Sequence, residues 1–224
     1  MDAKDVMPDM LTAPVGPVEP RERPAIRVKA VPERDRRRLL MHFLALGESD
    51  RLLRFGSLLP DEVITRYVQH LDFNRDVVFG VYDDLLHLIG VGHLAFTPMD
   101  NMRGHHGERA AELGVSVSEE ARGLGIGSKL FERAAMHCRN AEIDTLYMHC
   151  LASNRVMMHI AKKAGMAIQR DHGEADAYLR LPPANPTTVL REAVEEQFAS
   201  LDYTMKAQAR AAKKLLGTLP RFKS

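Results

Sequence analysis

The stretch "ARGLGIGSKL", Ala121 to Leu130, sets glycines at positions 123, 125 and 127 directly before an apolar run, and its reading decides the fold. Behind it Ile126, Leu130, Ala134 and Cys138 recur every fourth residue, which predicts a helix with one stripe turned to a sheet. Ahead of it Leu113, Val115 and Val117 alternate with Glu112, Gly114 and Ser116, which predicts a strand. Strand, glycine turn and helix start in this order expose free backbone N–H groups at the positive end of a helix dipole, a combination that favours a pyrophosphate. Side chains larger than hydrogen would hold the phosphate oxygens away.

Three anion-binding loops compete for these residues. A Walker loop needs Gly-Lys-Ser/Thr, and Gly127-Ser128-Lys129 has the wrong order. A Rossmann turn needs a third glycine where Ser128 stands, and it follows its strand directly, whereas "SEEAR" intervenes after Val117; Asp144 alone falls where that motif wants an acid. The third loop, Arg/Gln-x-x-Gly-x-Gly/Ala, is matched at each specified position by Arg122 to Gly127.

That third pattern is the loop of the GNAT acyltransferases. The run "AELGVSVSEEARGLGIGSKL" and the later "NRVMMHIAKKAGM" resemble, without a gap inside either block, the acetyltransferase domain of bacterial protein lysine acetyltransferases in the GNAT superfamily. Upstream, "ESDRLLRFG" is similar to the Arg-Phe segment near the start of that domain; the resemblance covers Ile26 to Leu181. It implies an α/β (α+β) chain with the GNAT fold: a mixed, mostly antiparallel central sheet flanked by helices, its fourth and fifth strands splayed to admit an acyl-CoA arm. An extra C-terminal helix is added here.

The resemblance also implies an activity, the transfer of acetyl from acetyl-CoA to a primary amine, on a protein lysine or a small molecule, by direct attack in a ternary complex. In that reading Arg122, Gly123, Leu124, Gly125, Ile126, Gly127 and Ser128 hold the pyrophosphate. The amides of Val115 and Val117 bind the pantetheine and polarise the thioester carbonyl. Asn154 hydrogen-bonds the pantetheine arm and serves equally well as a helix N-cap. A lysine-type amine, which ordinarily titrates near roughly 10.4, must lose a proton before it attacks, and Glu112 stands where the similar enzymes place their catalytic glutamate. The plainer reading of Glu112 is a half-exposed strand residue paired with Arg109. One departure stands out: Ala161 occupies the position, seven after Asn154, where many small-molecule members carry a tyrosine acid. The similar lysine acetyltransferases lack that tyrosine too, and a thiol that ordinarily titrates at about 8.5 leaves readily as thiolate. Tyr147 and His149, on one face of the next strand, are candidates for the acid or for acceptor contacts. A rival from another class is a non-catalytic acyl-CoA-binding module that assembles through its last helix; a nicotinamide-binding protein is a weaker one.

The rest of the chain sets bounds. Its 224 residues are 45% hydrophobic and 27% charged, enough for one substantial domain with attachments. A formal charge of +1 gives no basic field for nucleic acid. No run approaches the roughly 18 apolar residues of a membrane span, and Asp2, Asp5 and Asp9 occupy the place of a secretory signal, so a cytoplasmic protein is expected. Cys138 and Cys150 form no disulfide framework, and the adjacent His105 and His106 have no third ligand at a recognisable spacing, so no metal is assigned.

Residues 1–24, with five prolines, read as a flexible leader, 25–181 as the GNAT domain, 182–188 as a linker, and 189–224 as an amphipathic helix with a tail. Within the domain a strand is expected over Ala25 to Val31, helices after Pro32 and from Pro60, and a hairpin joined near Asp83 and Asp84. A strand around Leu146, a helix stopped at Gly165 and a closing antiparallel pair follow. In the last helix Leu190, Val194, Phe198, Leu201, Met205, Ala209, Ala212 and Leu216 keep helical spacing. This stripe either docks on its own domain or pairs with a second copy as a homodimer.

Overall fold

The computed structural model of the protein describes residues 25–98 and 109–218. The leader, the loop with His105 and His106, and the end of the tail lie outside the described residues.

β-branched and aromatic runs build the hairpin of Val77–Tyr82 (β2) and Leu88–Pro98 (β3), paired from Val77 with Leu94 to Tyr82 with Leu88. Asp83 closes its turn by accepting from the Leu85 and His87 N–H groups at 2.9 and 2.7 Å. Arg109–Val117 (β4) pairs antiparallel with β3 in unbroken register, Gly90 with Val117 through Pro98 with Arg109. Thr145–Leu151 (β5) runs parallel to β4, but only Ala110, Ala111 and Glu112 pair with it. Ala167–Asp171 (β6) and Glu174–Arg180 (β7) close the far edge, and Lys29–Ala30 (β1) the near one, in the order β1-β2-β3-β4-β5-β7-β6. The strand expected over Ala25 to Val31 is this short because only Lys29 and Ala30 find Cα partners in β2, Gly80 and Phe79.

Each face of the sheet has its own core. On one, Arg36–Leu44 (α1) and Asp61–Gln69 (α3) bury Leu39, Phe43, Ile64 and Val68 against Val78 and Val91. On the other, Ile126–Asn140 (α4) and Arg155–Lys163 (α5) cover Leu94, Leu113 and Leu146. The expected stripe of Ile126, Leu130, Ala134 and Cys138 is fully buried there, as are Met157 and Met158. Between α1 and α3 runs Glu48–Phe55 (α2), a helix the periodicity did not announce, since it buries no residue completely. Arg51 holds it, donating to the carbonyls of Leu44, Leu46 and Leu59 and pairing with Asp61 at 2.7 Å. α2 reaches β4 and β5, while Tyr147 and Asp176 remain half-buried and His149 exposed.

Pro186–Thr218 (α6) begins inside the expected linker, with proline at its first position, where the missing N–H costs nothing. It docks through a polar face. Arg133, 4% exposed on α4, donates to Glu192 at 2.6 Å and Glu196 at 3.1 Å, and Glu196 also takes Lys29 at 3.2 Å. Further along, Tyr203 packs edge-on against Tyr82 and Lys206 donates to the Tyr82 carbonyl at 3.0 Å. The apolar stripe read in the sequence is therefore not what docks this helix: Leu190, Val194, Phe198, Leu201 and Met205 are 43–69% exposed. No helix among the described residues is long and apolar enough to cross a membrane.

The buried His42 and the half-buried Glu192 give stability a pH dependence. Burial, reinforced by the charge of Arg54, lowers His42 to about 4 against the opposing bond to the Leu88 carbonyl. Burial alone would raise Glu192; the hydrogen bonds from His137 and Asn140 and the charges of His137 and Arg133 outweigh it and bring the carboxyl to about 2. Both folded values lie below the unfolded ones of 6.5 and 4.5, so each group contributes stability above its unfolded value that is lost as pH falls through its folded value. The thermal midpoint of the wild type is expected to fall from pH 6.5 to 4 and again from 4.5 to 2. Circular dichroism melts across pH check this, with His42→Gln flattening the first stage and Glu192→Gln the second.

Candidate active site

β4 and β5 part after Glu112, and the site is built in the gap. Ser118 N–H donates to the Ile89 carbonyl of β3 at 2.9 Å, and strand alternation then points the N–H groups of Val115 and Val117 the other way, toward the gap. Beyond β4, a single 3₁₀ turn over Glu119–Ala121 leads into the glycine loop. Gly123 and Gly125 take left-handed φ values of +76° and +87°, which side chains resist. The first helical bond runs from Lys129 N–H to the Gly125 carbonyl at 3.1 Å, so the N–H groups of Ile126, Gly127 and Ser128 have no acceptor within the helix.

These elements enclose a cleft of about 450 Å3. Val115, Val117, Arg122, Gly123, Gly125, Ile126, Gly127, Ser128 and Asn154 all line it, so the residues expected to hold a coenzyme are brought together, Leu124 excepted. Leu124 is 52% exposed and points away from the wall. Arg122 is ion-paired with Asp50 of α2, which fixes it at the cleft rim. Asn154 caps α5, its Oδ1 accepting from Met157 N–H at 3.1 Å, and its amide donors have no partner among the described residues. Lys129 turns instead to Glu132, at 2.7 Å. A larger hollow of about 550 Å3 lies behind α4, against α6, and contains neither the loop amides nor the open edge of β4.

The sequence did not single out the wall that α2 and the residue leading into it supply: Leu46, then Ser49, Asp50, Leu53 and Arg54. Its signal was the Arg-Phe segment. The Arg54 guanidinium crosses β4 so closely that a Cβ at Gly114 would lie 2.6 Å from its Cζ, and it stacks on Phe43, Phe55 and Tyr67 at 5.0–5.9 Å. It donates to Tyr67 OH at 3.1 Å; that hydroxyl donates to His93 Nδ1 at 2.8 Å, and His93 Nε2 donates to Asp76 at 3.2 Å. Burial and the nearby Arg54 charge hold His93 below its ordinary value despite Asp76, which keeps the ring neutral and the chain of donors in one direction. Behind Ser116 of the cleft wall, His42 Nδ1 must donate to the Leu88 carbonyl at 2.8 Å, so its Nε2 accepts the Ser116 hydroxyl at 2.8 Å.

Glu112 is exposed, on the face of β4 that carries Gly114 and Ser116, opposite the buried Leu113. It does not line the cleft; it stands at the last paired position before the strands part, in register with Tyr147. The alternative pairing with Arg109 is not made, since Arg109 Nη1 reaches Glu142 at 3.8 Å. Beside it, Asp176 accepts from both Tyr147 OH and His149 Nδ1 at 2.7 Å. That bond, assisted by the charges of Asp176, Glu174 and Glu112, raises His149 against a smaller opposing effect of burial. Burial first, then the bond to Asp176, raises the Tyr147 phenol too, so it stays a donor. Ala161, where other members carry tyrosine, is packed in the core at 1% exposure.

A splayed parallel pair with an amide-rich turn at its open end defines the class of fold: this is the GNAT fold. Residues 59–166 match the Acetyltransferase (GNAT) family. No curated protein sequence matches the chain. Among solved structures it is similar to the GNAT domain of S. lividans PAT, at 20% identity over 69% of this chain and 89% of that one, with a TM-score of 0.58. An N-acetyltransferase from Staphylococcus aureus Mu50 gives 16% identity, 70% and 99% coverage and a TM-score of 0.54. The spermidine N-acetyltransferase from Vibrio cholerae, solved with CoA and spermine, gives 20% identity, 69% and 95% coverage and a TM-score of 0.51.

Proposed function

We propose that the protein transfers the acetyl group of acetyl-CoA to a primary amine, of a protein lysine or a small molecule, in a ternary complex. The observation that carries this reading is the meeting, in one cleft, of an unpaired β4 edge and a left-handed glycine turn before α4. Phosphate oxygens suit the helix N-terminus, and an extended amide-bearing arm suits a free strand edge. With the arm along Val115 and Val117, the thioester lies near Gly114 and a β4 N–H can polarise its carbonyl. An ammonium proton first passes through Glu112 to water; the freed amine nitrogen attacks the carbonyl carbon, the C–S bond breaks as CoA leaves as thiolate, and the second nitrogen proton is lost to solvent as the amide forms. The open sheet face with Glu112, Tyr147, His149 and Asp176 receives the acceptor, and its acidic groups favour a cationic one.

The test is release of CoA thiol from acetyl-CoA, with mass spectrometry of the products, across lysine peptides, polyamines and simple amines. Acetylated product from at least one amine class is expected. Tight acetyl-CoA binding without thiol release on any acceptor, or on a whole-cell lysate, would leave a binding module that assembles through α6 and end the enzymatic reading.

A further inference from the structure

α6 carries two opposite faces of different character. Glu192, Glu196, Ala199, Tyr203 and Lys206, spaced four-three-four-three, form the docked face. Leu190, Val194, Leu201 and Phe198 sit close to two positions from members of that row, and two positions are about 200° around a helix. With Met205 and Leu215, the outward row holds six of the thirteen large hydrophobic side chains exposed among the described residues, all between 43% and 70% exposed. A monomer rarely leaves so continuous an apolar strip in water.

The polarity along the helix says what covers it. From Pro186 to Tyr203 the sequence has Glu192, Glu195, Glu196 and Asp202 against Arg191 alone; from Thr204 to Thr218 it has Lys206, Arg210, Lys213 and Lys214 and no acid. The bulky apolar residues lie mainly in the acidic half, and Ala209 and Ala212 stand in their row in the basic half. A helix that is acidic and bulky at one end, basic and small at the other, is complementary to itself reversed. We infer that α6 pairs antiparallel with α6 of a second copy about a two-fold axis near Tyr203. That axis sets Leu201 opposite Met205 at its centre and, toward the ends, Val194 opposite Ala212 and Phe198 beside Ala209, large against small. Glu192, Glu196, Lys206 and Arg210 stay turned to their own domain, and the charges that flank the seam set Glu195 of one copy beside Lys213 of the other. The spacing of Val194, Phe198, Leu201, Met205, Ala212 and Leu215 follows the seven-residue period of paired helices. Parallel pairing would stack Phe198 on its own copy and acid on acid. At roughly 100 Å2 of apolar surface per side chain, six from each copy remove about 1,200 Å2 from water, above the roughly 1,000 Å2 of a specific interface. The inference concerns assembly only and stands whether or not the proposed chemistry does.

Light scattering after size exclusion, with sedimentation equilibrium over micromolar concentrations, reads the outcome on the full chain. The wild type is expected to be a dimer. Leu201→Glu, which places a charge at the centre in both copies, is expected to weaken it by roughly 1,000-fold, about 30-fold for each copy, with acetyl-CoA binding and the thermal transition of the monomer retained. Direction is read by disulfide trapping, since the native Cys138 and Cys150 are buried. Leu190→Cys mixed with Leu215→Cys should cross-link, and Leu190→Cys alone should not. A wild type that is monomeric throughout, a dimer indifferent to Leu201→Glu, or Leu190→Cys cross-linking to itself overturns the inference. So does a monomer that floats with anionic phospholipid vesicles, which would give the strip to a membrane surface.

Discussion

Glu112→Gln is expected to lower kcat by roughly 100- to 10,000-fold, the usual contribution of a general base, while acetyl-CoA binds as before. The amide keeps the size and the strand register and removes only the capacity to take a proton. Because Glu112 is exposed and no ion pair with Arg109 is made, the exchange should shift stability by no more than about 0.5 kcal/mol. A loss of turnover therefore cannot be passed off as unfolding. An ordinary amine holds its proton roughly a million-fold more tightly than an ordinary carboxylate, so the carboxylate has to hand the proton on. An exposed site beside the open sheet face suits that relay better than a sealed one. Rapid-quench turnover across pH supplies a second readout: in the variant the rate should follow the free amine alone, rising about tenfold per pH unit below the amine pKa. If Glu112→Gln turns over at the wild-type rate, water takes the proton unaided and the role of Glu112 is lost, while the coenzyme cleft keeps its meaning.

How far the sequence reaches depends on where the stabilising contacts lie along the chain. β4, the glycine turn and α4 were legible because their signals are local: a period of two, a left-handed pair of glycines, and a stripe every fourth residue that is entirely buried. The splay was reached only through the family resemblance, since it is the loss of β4–β5 pairing after Glu112, a long-range event that leaves no pattern in either strand. α2 escaped because arginines hold it: Arg51 bonds three carbonyls and Arg54 lies on β4. Consequently the α2 wall of the cleft appeared in the sequence only as a family resemblance. α6 shows the opposite failure. Its apolar period was read correctly as helix, yet the face that docks on the domain left no apolar signal, because it is bound through Glu192 and Glu196 to Arg133, about sixty residues away.

Gly125→Val is expected to weaken acetyl-CoA binding about 100-fold. Gly125 caps α4 at φ +87°, where a β-branched residue loses about 1–2 kcal/mol. Space is not the obstacle, since the nearest atom to an added Cβ is Ile26 Cδ1 at 3.9 Å. The chain can escape the strain by rotating the peptide, which swings the neighbouring N–H groups off the cleft. Losing two bonds to a charged phosphate, at about 1.5 kcal/mol each, gives roughly 3 kcal/mol, or about 100-fold in Kd. The helix end itself should suffer less, with a melting midpoint lower by a few degrees. Leu124→Ala, in the same loop but outside the cleft wall, is the control and should bind normally. Acetyl-pantetheine separates the two halves of the argument because it carries the thioester arm without the diphosphate. If the turn grips the diphosphate, Gly125→Val and wild type should use acetyl-pantetheine alike and differ only with acetyl-CoA. If both substrates weaken equally, the turn serves to shape the β4 edge, and the diphosphate is held elsewhere.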